Sequence, residues 1–408
     1  MSATSPLSPP TKMPSSTPVL WLQGLFEILT AAFIRLPIWV LLALPKGTRP
    51  RPSWSIGRTL QLRVLNVLFS PPVAVFLKTF SREPDYRVLE QGKGVKGVWV
   101  PPVPHLIVGK IKLWAEKAGV ESIRIPAYWL EKKGVDLPVN ARPSEGEKVL
   151  YVLHGGGYAR QSAHPNDLIA NNPRGILEHT SPTIRRAFMI EYRNSRSPSQ
   201  PPSSPFPSAL LDAIAGYHYL VNQVGFAPEN IILEGDSAGG NLSMALVRYL
   251  LEYKNTSGLP DVPSALVLIS PWSDIYPDPN NRTSTFYTNS GSDFVSGLVQ
   301  HKGSGVLNFL GPLGPEAAVT NPYISPASLS PSMPPVSFTG YPRTLIISGS
   351  TELLLDQIRE LHKRMKATAG LDVRYVEFVD AWHDFTLLPN FEPQRSEALK
   401  LIGSWIEQ

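Results

Sequence analysis

The chain has no cysteine among its 408 residues, so disulfide frameworks, thiolate metal sites and cysteine nucleophiles are excluded. That absence leaves the compartment open, because a cysteine-free chain folds on either side of a membrane. Charge is also sparse. Charged residues make up 17% of the chain against 42% hydrophobic, with a net charge of +5, the balance of a folded chain rather than a disordered one. Signatures of metal and phosphate chemistry are missing too: no H-E-x-x-H, EF-hand loop or P-loop occurs. Asp274, Asp278 and Asp293 lie too dispersed to suggest a metal site, and no cofactor is expected. No repeat of fixed period is visible.

What is present divides the chain in three. Residues 1–18, "MSATSPLSPPTKMPSSTP", are Ser/Thr/Pro-rich and are expected to be disordered. Residues 19–97 form an apolar and basic region. Within it, 19–45 is long enough for a membrane span, but Glu27, Arg35 and Pro37 interrupt it, and a charge at the bilayer centre is costly. Two readings stand, a membrane anchor or interfacial helices capping a site. A signal peptide fits less well, since the positive leader is weak and no small-residue cleavage site follows cleanly. Lys46, Arg49, Arg51, Arg58 and Arg63 follow without an acid between them. No nucleic-acid recognition motif accompanies them, so they read as the flank of a membrane segment. The stretch 60–80, broken by Pro71 and Pro72, predicts two short amphipathic helices.

From residue 98 to 408 the texture changes to alternating strands and helices. Apolar, β-branched runs at 149–157, 186–193, 230–237, 264–272, 343–350 and 373–380 read as strands buried on both faces. Helical patterns at 208–225, 240–254 and 356–370 lie between them, which predicts an α/β fold with a mostly parallel central sheet flanked by helices. A Gly/Pro/Ser/Asn-rich insertion at 273–342 has the length of a lid or binding loop.

Two strand ends carry chemistry. "GDSAGG", 235–240, fits the G-x-S-x-G pattern of a nucleophile elbow, with a strand ending at Glu234 and a helix beginning near Gly240. There Ser237 sits on a strained turn that only small neighbours permit. "HGGG", His154 to Gly157, ends another strand, and consecutive glycines let backbone N–H groups face a ligand. The amides of Gly155 and Gly156, with that of Ala238, offer an oxyanion hole. Each motif alone is weak, since glycine-rich turns produce both. The pair in one α/β chain is much less readily explained as ordinary turns.

These residues resemble the hormone-sensitive-lipase-like esterases of the α/β-hydrolase superfamily, whose two signature motifs are "HGGG" and "GDSAGG". The segment "EYRNSRSPSQPPSSPFPSALLDA" resembles a stretched form of that family's "DYRLAPEHPFPAALDD", and "SPWSD" (270–274) is similar to its "SPWLDL". The N-terminal region looks more particularly like fungal membrane-associated members, the steryl acetyl hydrolases among them. The resemblance implies an α/β-hydrolase fold with an N-terminal helical cap or anchor, and a serine, acid, histidine order along the chain. His383 in "DAWHDF", after the last strand, is then the base, and His154 and Gly157 belong to the oxyanion turn, with His154 holding the loop. His105, His164, His179, His218, His301 and His362 read as surface or packing residues. At the acid position the family usually has Asp, whereas this chain has Glu352 in "GSTELLLDQI". Glutamate suits the role, which is to orient the imidazole and stabilise its cation. Asp356 and Asp380 are the alternatives; Asp356 otherwise caps the next helix or supports the loop, and Asp236 supports the elbow.

The expected activity is hydrolysis of a small hydrophobic carboxylic ester, of short-acyl, lipid, sterol or terpenoid type, through an acyl-serine intermediate. Acyl transfer, amide or formamide hydrolysis, and a silent small-molecule binding protein on the same fold are the alternatives. No nucleic-acid partner is expected. The resemblance implies membrane association at the endoplasmic reticulum and admits the lumenal side, whereas basic residues after the apolar segment point to the cytoplasmic side.

Overall fold

Eight strands among the described residues form one sheet, in the order β1-β2-β4-β3-β5-β6-β7-β8. They are β1 (Lys96–Val100), β2 (Ile125–Glu131), β3 (Lys148–Leu153), β4 (Ile184–Ile190), β5 (Ile231–Asp236), β6 (Ala265–Ile269), β7 (Arg343–Gly349) and β8 (Val373–Phe378). The computed structural model describes residues 17–78, 85–90, 92–195, 204–278, 280–296 and 304–408. His301 and the first sixteen residues of the Ser/Thr/Pro-rich terminus lie outside them. From β4 to β8 all pairs are parallel, while β2 runs antiparallel to both β1 and β4.

The six apolar runs became the six parallel strands, five of them covered on both faces and the edge strand β8 only half-buried. Along β5, Ile231 and Leu233 enter one core and Ile232 the other, and every residue of that strand is buried. β1 and β2 had no such signature. β1 is five residues long and starts Lys-Gly, and β2 carries Pro126 near its start, a residue that cannot donate to a ladder. Just after β4, Arg193 forms a buried ion pair: its Nε and Nη2 donate to Asp212, and its backbone N–H donates to the same carboxylate at 2.9 Å.

The apolar N-terminal segment is one helix, running through Thr17–Thr30, a wider π-turn at Ala31–Arg35, and Leu36–Ala43. Pro37 has no N–H to give, and the turn just before it widens instead of breaking. Arg35 faces Glu27 at 3.9 Å, so the two charges that interrupt the run are neighbours. Pro18–Ala43 is 26 residues with mean hydropathy 1.9, long and apolar enough to cross a membrane. Two short helices follow as expected, Ile56–Leu68 and Pro71–Lys78. The second lies against the first half of the long helix, with Trp21 and Phe76 rings 5.0 Å apart.

Candidate active site

The carboxyl ends of the parallel strands are where a sheet of this kind exposes backbone and side chains to a ligand. β5 ends at Asp236 and the next helix, Ser237–Glu252, begins at the following residue, so no loop separates them. The helix thus starts three residues earlier than its sequence pattern suggested. The sharpness has a backbone cost: Ser237 has φ +49°, a region disfavoured for residues with a Cβ. Gly239 makes the turn feasible, since a Cβ there would collide with the carbonyls of Leu153 and His154 at the end of β3.

The structure brings together the three side chains expected from the sequence. Ser237 Oγ lies 2.9 Å from His383 Nε2, and His383 Nδ1 lies 3.0 Å from Glu352 Oε2. Because an ionised carboxylate only accepts, Nδ1 carries a hydrogen toward Glu352, and in the neutral imidazole Nε2 is the acceptor open to the serine hydroxyl. Glu352, fully buried, spends its other oxygen on the Gly349 N–H at 2.6 Å and the Ser270 hydroxyl at 3.3 Å. Burial pushes its pKa up, and the hydrogen bond and charge of His383 work against that. The alternative acids are elsewhere. Asp356 Oδ2 accepts from the Thr285 N–H at 2.7 Å and supports the insertion. The Asp380 side chain has no hydrogen bond to His383; its carbonyl accepts from Trp54 Nε1.

One expectation needs correcting. The Gly155 N–H does not face the serine: it donates to Asp236 Oδ1 at 3.0 Å. Asp236 therefore supports the site by locking the HGGG turn to the elbow rather than by capping its own helix. The amides of Gly156, Gly157 and Ala238 have no hydrogen-bond partner among the described residues. Gly156, at φ +103°, holds a conformation that a side chain would resist. His154 holds the loop: its Nδ1 donates to the Gly155 carbonyl at 2.8 Å, its ring stacks on Tyr192 at 4.1 Å, and Tyr192 donates to the His154 carbonyl. Burial lowers its pKa to about 4, so it stays neutral.

Two acids near the histidine had no role at this site in the sequence reading, which weighed Asp293 only as a metal ligand. Asp384 Oδ2 lies 3.2 Å from His383 Nε2, on the side of the ring that also meets Ser237. Burial alone would lower the His383 pKa, but the charge and hydrogen bond of Asp384, then those of Glu352, raise it well above the usual imidazole value. Its place next to His383 in the sequence was the available signal. Asp293, fully buried, accepts the Leu353 N–H at 2.8 Å just beyond the acid, and burial pushes its pKa up to about 7. Of the histidines read as packing residues, His105 lies against His218, His164 against Tyr128 and His362 against Tyr375. Among the described residues no cluster of His, Asp or Glu could hold a metal ion.

Comparison with known proteins follows the same lines. Residues 150–387 match a family described by its alpha/beta hydrolase fold. An acetyl-hydrolase of Streptomyces hygroscopicus is 29% identical over 267 residues, covering 64% of this chain and 76% of that protein. Steryl acetyl hydrolase 1 of Saccharomyces cerevisiae is 26% identical over 158 residues, 38% of this chain and 32% of that protein. Among solved structures, a hormone-sensitive lipase from a metagenome library aligns with TM-score 0.52 at 26% identity, over 69% of this chain and 81% of that one. Fold, elbow and matched region agree, and the chain belongs to the α/β-hydrolase fold family, alongside hormone-sensitive-lipase-like relatives.

Proposed function

We propose that the protein hydrolyses hydrophobic carboxylic esters through an acyl-serine intermediate, with Ser237 as nucleophile, His383 as base and Glu352 as its orienting acid. The observation that carries this reading is the continuous hydrogen-bonded chain from Ser237 Oγ through the imidazole to Glu352. Ser237 Oγ attacks the ester carbonyl carbon as its proton passes to His383 Nε2. The carbonyl oxygen becomes an oxyanion and accepts from the amides of Gly156, Gly157 and Ala238. The imidazolium, held by Glu352, returns the proton to the departing alkoxide as the C–O bond breaks. Water then attacks the acyl-serine, giving its proton to His383, and the acid leaves with Ser237 restored.

Several relatives are named as esterases, and three are named as acetyl hydrolases. A short acyl group on a bulky apolar alcohol, such as a lipid, sterol or terpenoid, is therefore the favoured substrate. The long apolar helix supports a membrane anchor, which would keep the enzyme where such alcohols partition. The test is a panel of p-nitrophenyl esters of increasing acyl length, run beside labelling with a fluorophosphonate probe. Acetate and butyrate esters should turn over and the probe should label wild type but not Ser237→Ala. A folded wild-type protein that does neither refutes the reading.

A further inference from the structure

The arginines that follow the apolar helix are turned into the protein. Arg49 donates from Nε to the Ala43 carbonyl at 2.8 Å, from Nη2 to Leu44 at 3.1 Å, and from Nη1 to Trp54 at 2.6 Å. The end of the helix is thus fastened to Trp54, which is 1% exposed. Trp54 Nε1 donates to the Asp380 carbonyl at 3.1 Å, and its ring meets Trp382 edge-on at 5.4 Å. Asp380 and Trp382 lie three residues and one residue before His383.

Arg51 reaches the acid. Its Nη2 donates to Asn289 Oδ1 at 2.5 Å and to Ser292 Oγ at 3.3 Å. Asn289 Nδ2 donates in turn to the Glu352 carbonyl at 3.0 Å, and Ser292 Oγ to the Thr351 carbonyl at 3.1 Å. A guanidinium has donors only. It therefore obliges Asn289 to turn its oxygen outward and its NH2 toward the acid turn. The carbonyls of Thr351 and Glu352 and the Leu353 amide are all held by residues 289–293, with Arg51 behind them. His383 and Glu352 stand on different loops, so their 3.0 Å contact depends on both loops being held in register.

We propose that Arg51 and Trp54 are positioning residues for the triad: Arg51 sets the Glu352 turn through Asn289 and Ser292, and Trp54 sets the His383 loop through Asp380 and Trp382. This rests on the Ser237–His383–Glu352 reading above. The segment after the apolar helix is then part of the machinery that aligns acid with base, and not only a tether. Neither residue touches substrate or the reacting atoms.

The experiment uses the full-length chain, hydrolysis of p-nitrophenyl acetate, and fluorophosphonate titration to count competent sites. Arg51→Ala should lower kcat per titrated site by about 10–100-fold, the scale on which small misplacements of a catalytic group act, while KM stays unchanged. Its acid limb in kcat/KM should move to lower pH, because an imidazolium less well held by Glu352 loses its proton more readily. Arg51→Lys should recover part of kcat, and Trp54→Phe, which keeps the ring and loses the N–H, should show a smaller fall in kcat. Wild-type kcat per site and an unmoved acid limb in Arg51→Ala and Trp54→Phe would overturn the proposal. So would a loss that only tracks fewer titratable sites. If Arg51→Ala does not accumulate, Arg51→Lys decides: lowered kcat per site at constant KM supports the proposal and wild-type kcat refutes it. A wild type that neither hydrolyses nor labels instead sinks the triad reading itself.

Discussion

Replacing Asp384 with Asn tests the electrostatics of the candidate base directly. Asp384 Oδ2 stands 3.2 Å from His383 Nε2, and with Glu352 it raises the imidazole pKa well above its usual value. Only the neutral imidazole can accept the Ser237 proton. The rate should therefore rise with pH through the His383 pKa, with the wild-type acid limb above about 6.5, the ordinary imidazole value. Two unit charges at that separation interact by ~5 kcal/mol at an effective dielectric of ~20, an upper bound of nearly ~4 pK units. The charge on the other side of the ring is not removed: Glu352 stays at Nδ1. With that background the removal of one carboxylate typically shifts a pKa by ~1–3 units. The sign is fixed. Losing a negative charge destabilises the imidazolium, so the acid limb of kcat/KM in Asp384→Asn should move to lower pH by that amount. The assay is a kcat/KM profile on p-nitrophenyl butyrate, corrected for sites by fluorophosphonate titration. An acid limb that stays in place, or moves to higher pH, refutes the assignment of Asp384 as a charge acting on His383.

Three further outcomes are expected. Glu352→Gln should lower kcat by about 10⁴-fold, because an amide does not stabilise the imidazolium and can present the wrong hydrogen to Nδ1; full activity in a folded variant would move the acid elsewhere. Gly156→Ala should cost about 10²–10³-fold in kcat with fluorophosphonate labelling slowed in parallel, since the side chain disfavours the φ of +103° that exposes the amide; an active variant would remove Gly156 from the oxyanion hole. On the proposed anchor reading, the full chain should pellet with membranes and resist both alkaline carbonate and high salt, because the helix is apolar; release by salt alone would show electrostatic binding instead.

Much of the fold was legible because burial on both faces leaves a plain mark. β3 and β6 are almost unbroken apolar sequence, β5 and β7 each carry an apolar run, and all four are buried along nearly their whole length. β2 was hidden because Pro126 argues against a strand, although at the start of an antiparallel strand its missing N–H is tolerated. The serine and histidine positions were legible from motif and chain order. Which amides stay unpaired was not: three consecutive glycines look alike in sequence, and the Asp236 carboxyl, 81 residues away, takes the first of them. Asn289 and Arg51 were invisible for the same reason. They are 238 residues apart, and nothing local in either stretch signals that a loop of the insertion grips the acid turn.

The basic cluster shows what composition conceals. Counted as charge, Arg49, Arg51, Arg58 and Arg63 form a flank suited to anionic headgroups, each worth about 1 kcal/mol near a membrane surface. In the folded chain they act as forks and plates. Arg49 and Arg51 bind carbonyls and side chains, Arg58 lies over Phe391 at 4.2 Å while donating to Gln394, and Arg63 lies 5.9 Å from the Trp39 ring. Lys46 alone of the five is exposed. A guanidinium committed to such partners must give them up before it can bind a phosphate, and giving up Arg51 would release the acid turn. The region therefore trades surface attraction for alignment of the site. On the proposed anchor reading the apolar helix supplies the membrane affinity, and Arg49 and Arg51 join the end of that helix to the loops carrying Glu352 and His383.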